Sequence, residues 1–263
     1  MKPTRPVVIK IAETHLNEEG VRRMLETLGV SKETTERYGK MPDNAETLIE
    51  LAGRICYESF EIGLNPNVRR IRTDSKAYFE NIILKGDGSI AEHGTCSFAI
   101  LNVSRILTHE LARHRVGIAI SQESLRYVRL KDLRLWLPDE FTEGQKEAAT
   151  RAVERTEAAY RDMERKIPWD DLSMDGKKRM TSALRRILPD GLATHVIWTA
   201  NHRTLRWLIE MRTDPGAEVE IRMVFDQIAQ IVTRDHPLLY QDFVRRELPD
   251  GTGSWKPTLR SKL

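Results

Sequence analysis

The chain reads as an α+β fold, a mainly antiparallel sheet flanked by helices. Three observations predict it. Strand-like segments are few and scattered among helices, without the regular strand–helix alternation of a doubly wound parallel sheet. Apolar residues make up 40% and charged residues 31% of the 263 positions, enough of each for a packed core beneath a solvated surface. Around Ser104 an alternating, β-rich segment gives way to a capped helix.

Taken in order, residues 7–11 alternate and open the chain as a strand. Residues 44–60 carry Ala45, Leu48, Leu51, Ala52, Ile55 and Cys56 at helical spacing, with Asp43 or Asn44 as cap. A second helix covers 75–84 and stops at Gly86. Residues 95–103 form a strand, and Ser104 caps a helix over 105–114. Beyond Trp136 and Pro138, a long charged helix runs over 141–167. Its stripe of Ala149, Val153, Thr156, Tyr160, Met163 and Ile167 faces inward, and its Arg and Glu residues form a solvated face. A linker over 168–175 leads to a helix ending near Ile187 and a break at Pro189-Asp190-Gly191. A strand over 194–199 and helices over 204–212 and 217–234 follow. No internal repeat interrupts this, so 1–263 is expected to be one domain with a flexible C-terminal tail over 249–263.

The net charge of +3 is too small for a protein that coats nucleic acid by bulk charge, and DNA is not an expected partner. It leaves room for a local basic pocket. Cys56 and Cys96 can form neither a disulfide framework nor a four-thiolate zinc site, which points to a reducing, cytoplasmic setting. No apolar run approaches the roughly 18–20 residues that span a bilayer, so no membrane partner is expected. The basic start lacks the sustained apolar stretch of a secretory signal. The final Ser261-Lys262-Leu263 matches a peroxisomal address, which has meaning only in a cell with peroxisomes.

Several catalytic motifs are excluded by spacing. His109-Glu110-Leu111-Ala112-Arg113-His114 misses the zincin pattern by one residue. A five-residue separation turns the two rings roughly 140° apart on a helix, so no metal site is expected. There is no Gly-rich phosphate loop and no Gly-x-Ser-x-Gly elbow. His109 and His202 read as structural or surface residues, and Trp198 and Trp207 as core.

The segment from Arg113 to Tyr127, RHRVGIAISQESLRY, stands apart. Arg113, His114, Arg115 and Arg126 bracket an apolar loop that leads into Ser121-Gln122-Glu123-Ser124. Fork-shaped cations around a partly buried loop suit an anion, because guanidinium groups match phosphate oxygens two at a time.

This segment resembles the Arg-His-Arg-x-x-Ser-x-Asn-Glu-x-Ser-x-Arg-Tyr signature of the flavin-dependent thymidylate synthases. Ala52-Gly53-Arg54-Ile55-Cys56-Tyr57 is similar to that family's early helix, and Glu92-His93-Gly94-Thr95 to its strand entry. Arg185 to Pro189 resembles its Arg-x-x-Leu-Pro. Thr194, Trp198, Thr199, Asn201, Arg203 and Leu205 fall at the family's intervals, and Met211-Arg212 leads to Ala217-Glu218-Val219-Glu220-Ile221 in place of Ala-Gln-Trp-Glu-Ile. The resemblance runs in order over about residues 45–245.

The family implies that fold and a homotetramer with flavin sites shared between subunits. It implies FAD reduced by NADPH, methylenetetrahydrofolate as carbon donor, and C5 of dUMP as acceptor. By position, Arg113, His114, Arg115, Val116, Asn201 and Arg203 become flavin contacts. Glu110, Gln122, Ser124, Arg126, Arg185 and Arg212 become nucleotide contacts. Arg212, Ser124 and His93 fall at the reacting groups, with Arg212 stabilising charge on the pyrimidine carbonyl. Ser124 reads as a hydrogen-bond donor, since a serine without a base is weakly nucleophilic.

The chain departs from the pattern in three places. The 113–127 segment is one residue longer, with Ile118 or Ala119 where the first signature serine is expected. Glu110 and Glu218 stand where glutamines are usual. An ionised Glu only accepts hydrogen bonds, so Glu110 would favour a partner that donates, such as a ribose 2′-hydroxyl. UMP is therefore an expected substrate beside dUMP, as in divergent relatives of nucleoside-antibiotic pathways. The competing class is a non-catalytic nucleotide- or RNA-binding module built on the same arginines. The 6% aromatic content and the absence of an RNA-binding motif weigh against it.

Overall fold

Side-chain caps decide where the helices of this protein begin. The computed structural model describes residues 2–263, with side chains from Thr4 onward. Short strand β1 (Lys2–Pro3) and strand β2 (Val7–Glu13) precede helices α1 (Glu18–Thr27), α2 (Lys32–Tyr38), α3 (Ala45–Ile55) and α4 (Ser75–Lys85). Strand β3 (Thr95–Ser104) runs into α5 (Arg105–Leu111), followed by β4 (Ile118–Gln122), β5 (Arg134–Leu135), α6 (Glu143–Arg165) and α7 (Met174–Leu184). Strand β6 (Ala193–Asn201) runs into α8 (His202–Arg212), and α9 (Val219–Asp235), β7 (Phe243–Glu247) and β8 (Gly253–Pro257) complete the order. Among the described residues every α-helix starts on a side-chain acceptor, from Asn17, Ser31, Asn44 and Asp74 to Ser104, Thr142, Ser173, Asn201 and Glu218. Each satisfies amides that the first helical turn leaves without intrahelical partners.

Strands β2, β3, β6 and β4 form one sheet in that order. Ser97 Oγ meets Thr199 Oγ1 at 2.7 Å, and the Asn102 amide donates to His195 Nδ1 at 3.2 Å, so β3 and β6 run antiparallel. The Glu123 amide donates to the His195 carbonyl and the Asn201 amide to the Gly117 carbonyl, which sets β4 antiparallel to β6. Strands β7 and β8 pair antiparallel from Phe243–Pro257 to Glu247–Gly253, and β1 pairs parallel with β5. Burial alternates along β3 and β6, where Cys96, Phe98, Ile100, Val196, Trp198 and Ala200 are buried. The α+β class and the capped helix after Ser104 are therefore observed as expected.

The chain divides into two compact units. The first comprises the residues up to Ile9, Ala99–Arg115 and Ile120–Trp198, and the second comprises Lys10–Phe98, Val116–Ala119 and Thr199–Leu263. In the first, Leu125, Leu133, Leu135, Val153 and Leu192 form a core cluster. Helix α6 contributes little else: Val153 and Tyr160 are its only buried side chains, and Met163 of the expected stripe is exposed. In the second, Leu25, Val30, Tyr38, Leu51 and Phe60 pack together under α1 and α2.

Three expectations are corrected. Helix 44–60 ends at Ile55, and helix 105–114 ends at Leu111, leaving Arg113 and His114 in a turn. Residues 118–122, expected as loop, form β4. Residues 249–263 carry β8, with Trp255 buried, and Ser261 Oγ lies 2.7 and 2.9 Å from the two carboxylate oxygens of Glu210.

The second unit also buries a polar network. Arg54 pairs with Glu50 at 2.6 Å and Arg206 with Asp242 at 2.8 Å, all four nearly inaccessible to solvent. Beside Cys96 lie the buried rings of His202 and His236. Burial pushes the Cys96 thiol up to about 12, and burial first, then the charges of His236 and Lys10, holds His202 well below its usual value. Glu46 accepts from the amides of Leu238 and Leu239, yet burial outweighs them and raises its carboxyl to about 7.

Candidate active site

In the first unit, α5 carries Arg105, Thr108 and Glu110 toward its end, and the chain then turns through Arg113 to Arg115. Gln122 Nε2 donates to Thr108 Oγ1 at 3.2 Å, fixing the end of β4 against α5. Ser124 Oγ accepts from the Arg126 amide at 3.3 Å, and among the described residues no imidazole or carboxylate hydrogen-bonds to it. Ser124 thus keeps a hydroxyl proton to donate but has no base to activate it. The Arg126 guanidinium stacks 5.6 Å from the ring centre of Tyr127. Arg113 and Arg115 are exposed, and His114 is buried.

Sequence reasoning missed Arg105. It is half-buried, and its Nη1 is buried without a hydrogen-bond partner. Burial first, and the positive charge of Arg185 second, hold its guanidinium below the usual value, while Glu123 and Asp190 partly offset them. Two like charges with a stranded N–H are unfavourable alone and favourable around an anion. Thus Arg105, Thr108, Gln122, Glu123 and Arg185 are brought together within this unit. The available signal was Arg105 following the Ser104 cap, one helical turn before Thr108.

In the second unit, Asn201 caps α8 by accepting from the Thr204 amide at 2.8 Å, and Thr204 Oγ1 donates to the Val116 carbonyl at 2.9 Å. Gly117 adopts a left-handed φ of 70°. A side chain there would also collide with Asn201 and Thr204, so only glycine allows this turn. Val116 is 78% exposed at its tip. Arg203, expected as a flavin contact, already pairs with Glu92 Oε1 at 2.5 Å and donates to the Leu263 carbonyl. His93 is exposed at the end of a 3-10 turn.

Arg212 ends α8 and lines an open cleft of about 660 Å³ with Trp207, Met211, Asp214 and Lys256. Trp207, expected in the core, is 37% exposed there, whereas Trp198 is buried as expected. A second cleft of about 350 Å³ gathers Arg69, Arg70, Arg72 and Lys85 with Tyr57 and Tyr78, a basic run the sequence reading passed over.

Residues 39–238 match the family model described as thymidylate synthase complementing protein. The flavin-dependent thymidylate synthase of Mycobacterium tuberculosis is 33% identical over 216 residues, covering 80% of this chain and 84% of its own. That of Mycobacterium avium is 34% identical over 217 residues, again 80% and 84%. Among solved structures, the UMP/dUMP methylase PolB from Streptomyces cacaoi, bound with 5-Br UMP, superposes with a TM-score of 0.63. It shares 16% identity and covers 92% of this chain and 95% of that one, a likeness of fold. No helix among the described residues is long and apolar enough to cross a membrane. The anion-seeking arginines of the first unit and the Gly117–Asn201 turn of the second belong to a chain of the thymidylate synthase complementing family, that of the flavin-dependent thymidylate synthases.

Proposed function

We propose that this protein is a flavin-dependent enzyme that methylates C5 of the uracil ring of a uridine monophosphate, dUMP or UMP. FAD is its cofactor, with NADPH and methylenetetrahydrofolate as co-substrates. The observation that carries the reading, in a chain of this family, is the stranded Arg105 N–H beside Arg185. A phosphate dianion there supplies both guanidinium groups with oxygens and cancels their repulsion.

The residues present fit an anionic dinucleotide. The cleft with Arg69, Arg70, Arg72 and Lys85 offers cations beside two tyrosine rings. Arg113 and Arg115 engage no carboxylate among the described residues. When bound, the flavin supplies the hydride that completes the methyl group. The chain supplies orientation and charge. Gln122 and Ser124 hold the nucleotide by hydrogen bonds, and Arg126 lies at its rim. Arg212 stabilises negative charge on the pyrimidine carbonyl, an effect on the order of 10² to 10³ in rate. Attack on C6 by Cys96 does not fit, because its thiol is buried and pushed up to about 12. Arg203 must exchange Glu92 for a flavin oxygen if it is to hold the cofactor. Exposed Tyr57, Val116 and Tyr127 suit contacts between copies in a homotetramer.

Glu110 favours UMP as a second substrate. It is half-buried near the end of α5, in the unit that holds Arg105 and Gln122. Its carboxylate can accept from a ribose 2′-hydroxyl. The test is kcat/KM for UMP and dUMP on flavin-loaded protein, with Glu110→Gln beside it. UMP turnover that falls about tenfold or more in the variant, relative to dUMP, supports the reading. A large dUMP preference in both proteins removes the ribonucleotide role. A colourless preparation that takes up no added FAD but shifts RNA on a gel would instead favour the non-catalytic binder.

A further inference from the structure

The second unit contains a buried cluster that the proposed reaction does not use. Cys96 Sγ lies 3.7 Å from His202 Nε2 and 3.6 Å from His236 Nε2. His236 Nε2 lies 3.2 Å from Glu13 Oε2. The sulfur and the two ring nitrogens all fall within 4.8 Å of one another, and the three residues are buried. We propose that Cys96, His202, His236 and Glu13 bind a divalent transition-metal ion of the zinc type as a structural site.

Three of these spacings, 3.7, 3.6 and 3.2 Å, lie near a tetrahedron's edges, while Glu13 and the two imidazoles must close in further when an ion binds. With Zn–S near 2.3 Å and Zn–N or Zn–O near 2.0–2.1 Å, neighbouring donor atoms stand about 3.3–3.6 Å apart. Donor chemistry selects the metal, since a thiolate with two imidazoles suits zinc and repels magnesium or calcium by mismatch of softness. Orientation is set from outside the cluster. His202 Nδ1 sits 2.9 Å from the Tyr240 hydroxyl, so a proton donated there leaves the Nε2 lone pair toward Cys96. On binding, the ion replaces the thiol proton of Cys96, which leaves to solvent; no other covalent bond to a heavy atom changes, and Glu13 exchanges its contacts with Lys10 and His236 for the metal. Thiolate and Glu13 carboxylate together neutralise the dication, as burial requires. Lys10 now bonds both Glu13 at 2.8 Å and Asp235 at 2.6 Å, and it keeps Asp235 when Glu13 turns to the metal.

The ligands come from β2, the start of β3, the first residue of α8 and the residue after α9. Such an ion would staple four elements and fix the start of α8, next to Asn201 and the Gly117 turn. Four protein ligands leave no position for a substrate, which is why the role is structural.

The test is metal content and zinc K-edge X-ray absorption on the full chain purified after growth with added zinc. The expected result is stoichiometric zinc with one sulfur scatterer near 2.3 Å and nitrogen or oxygen near 2.0–2.1 Å. Cys96→Ser should lose the metal, whereas Cys56→Ser, at an exposed thiol, should retain it. Should Cys96→Ser fail to fold, the wild-type absorption spectrum still decides. Folded wild-type protein that holds no zinc and takes up none on titration overturns the proposal, as does bound zinc without a sulfur neighbour. None of these readouts depends on methylation activity.

Discussion

The two units treat buried charge in opposite ways. In the second, Arg54 meets Glu50 and Arg206 meets Asp242, each guanidinium matched by a carboxylate inside the protein. In the first, half-buried Arg105 faces Arg185 and keeps an N–H without a partner. Internal pairs of the first kind hold a fold in one arrangement and ask nothing of a ligand. The second kind is destabilising until an anion arrives, and so it marks a site. Counting arginines would not separate the two; asking what each one touches does.

Breaking the internal pairs should have the largest effect. Arg206→Ala strands the Asp242 carboxylate, and urea denaturation should show a loss of about 3–5 kcal/mol. A loss below about 1 kcal/mol would mean that these pairs do not hold the second unit together.

Next in size is Arg212→Ala. Turnover should fall on the order of 10² to 10³-fold while flavin stays bound, as absorbance of the purified variant will report. Unchanged turnover removes Arg212 from the chemistry.

Glu46 sharpens the comparison as a buried carboxylate of the second unit held only by backbone amides. Its folded value of about 7 lies above the ordinary 4.5, so its contribution to stability is complete below about 4.5 and is lost as pH rises to 7. Glu46→Gln should therefore gain on the wild type across that window, by up to about 3 kcal/mol, and level off above it. A gap that stays flat with pH would show that the Leu238 and Leu239 amides fully satisfy the ionised form.

Arg105→Met should have the smallest effect on folding and a distinct one on binding. Stability should change by less than about 1 kcal/mol or rise, because a stranded N–H and a repulsion disappear. KM for the nucleotide should rise about tenfold or more, the loss of a charge-assisted hydrogen bond. Equal loss of stability and binding would make Arg105 an ordinary structural residue.

What the sequence disclosed follows from how local each signal is. Asn44, Ser104 and Gly86 announce helix ends because a cap acts within four residues of itself. Strand β4 was hidden because it sits at the end of the sheet order, with Ala119 to Ser121 all exposed, so no alternating pattern marks it. Helix α1 does carry a stripe, Val21, Met24 and Leu25 continued by Leu28, that the sequence reading passed over, whereas α2 buries only Tyr38 amid charged residues. The hairpin of β7 and β8 depends on pairing across the turn at Leu248 to Thr252, and Val244 to Glu247 are exposed. The expected nucleotide residues Gln122 and Ser124 were found through family spacing, but Arg105 needed coordinates, because its meaning lies in Arg185, 80 positions away. Glu13, Cys96, His202 and His236 are likewise separated by whole elements, and no spacing rule could join them.

The most direct test uses uridine monophosphates tritiated at C5, since substitution at that carbon must expel its hydrogen. Flavin-loaded protein given NADPH and methylenetetrahydrofolate should release tritium to water from dUMP or UMP and form the methylated nucleotide in equal amount. Protein that retains its flavin, binds both nucleotides and releases none from either would contradict the assignment of C5 methylation.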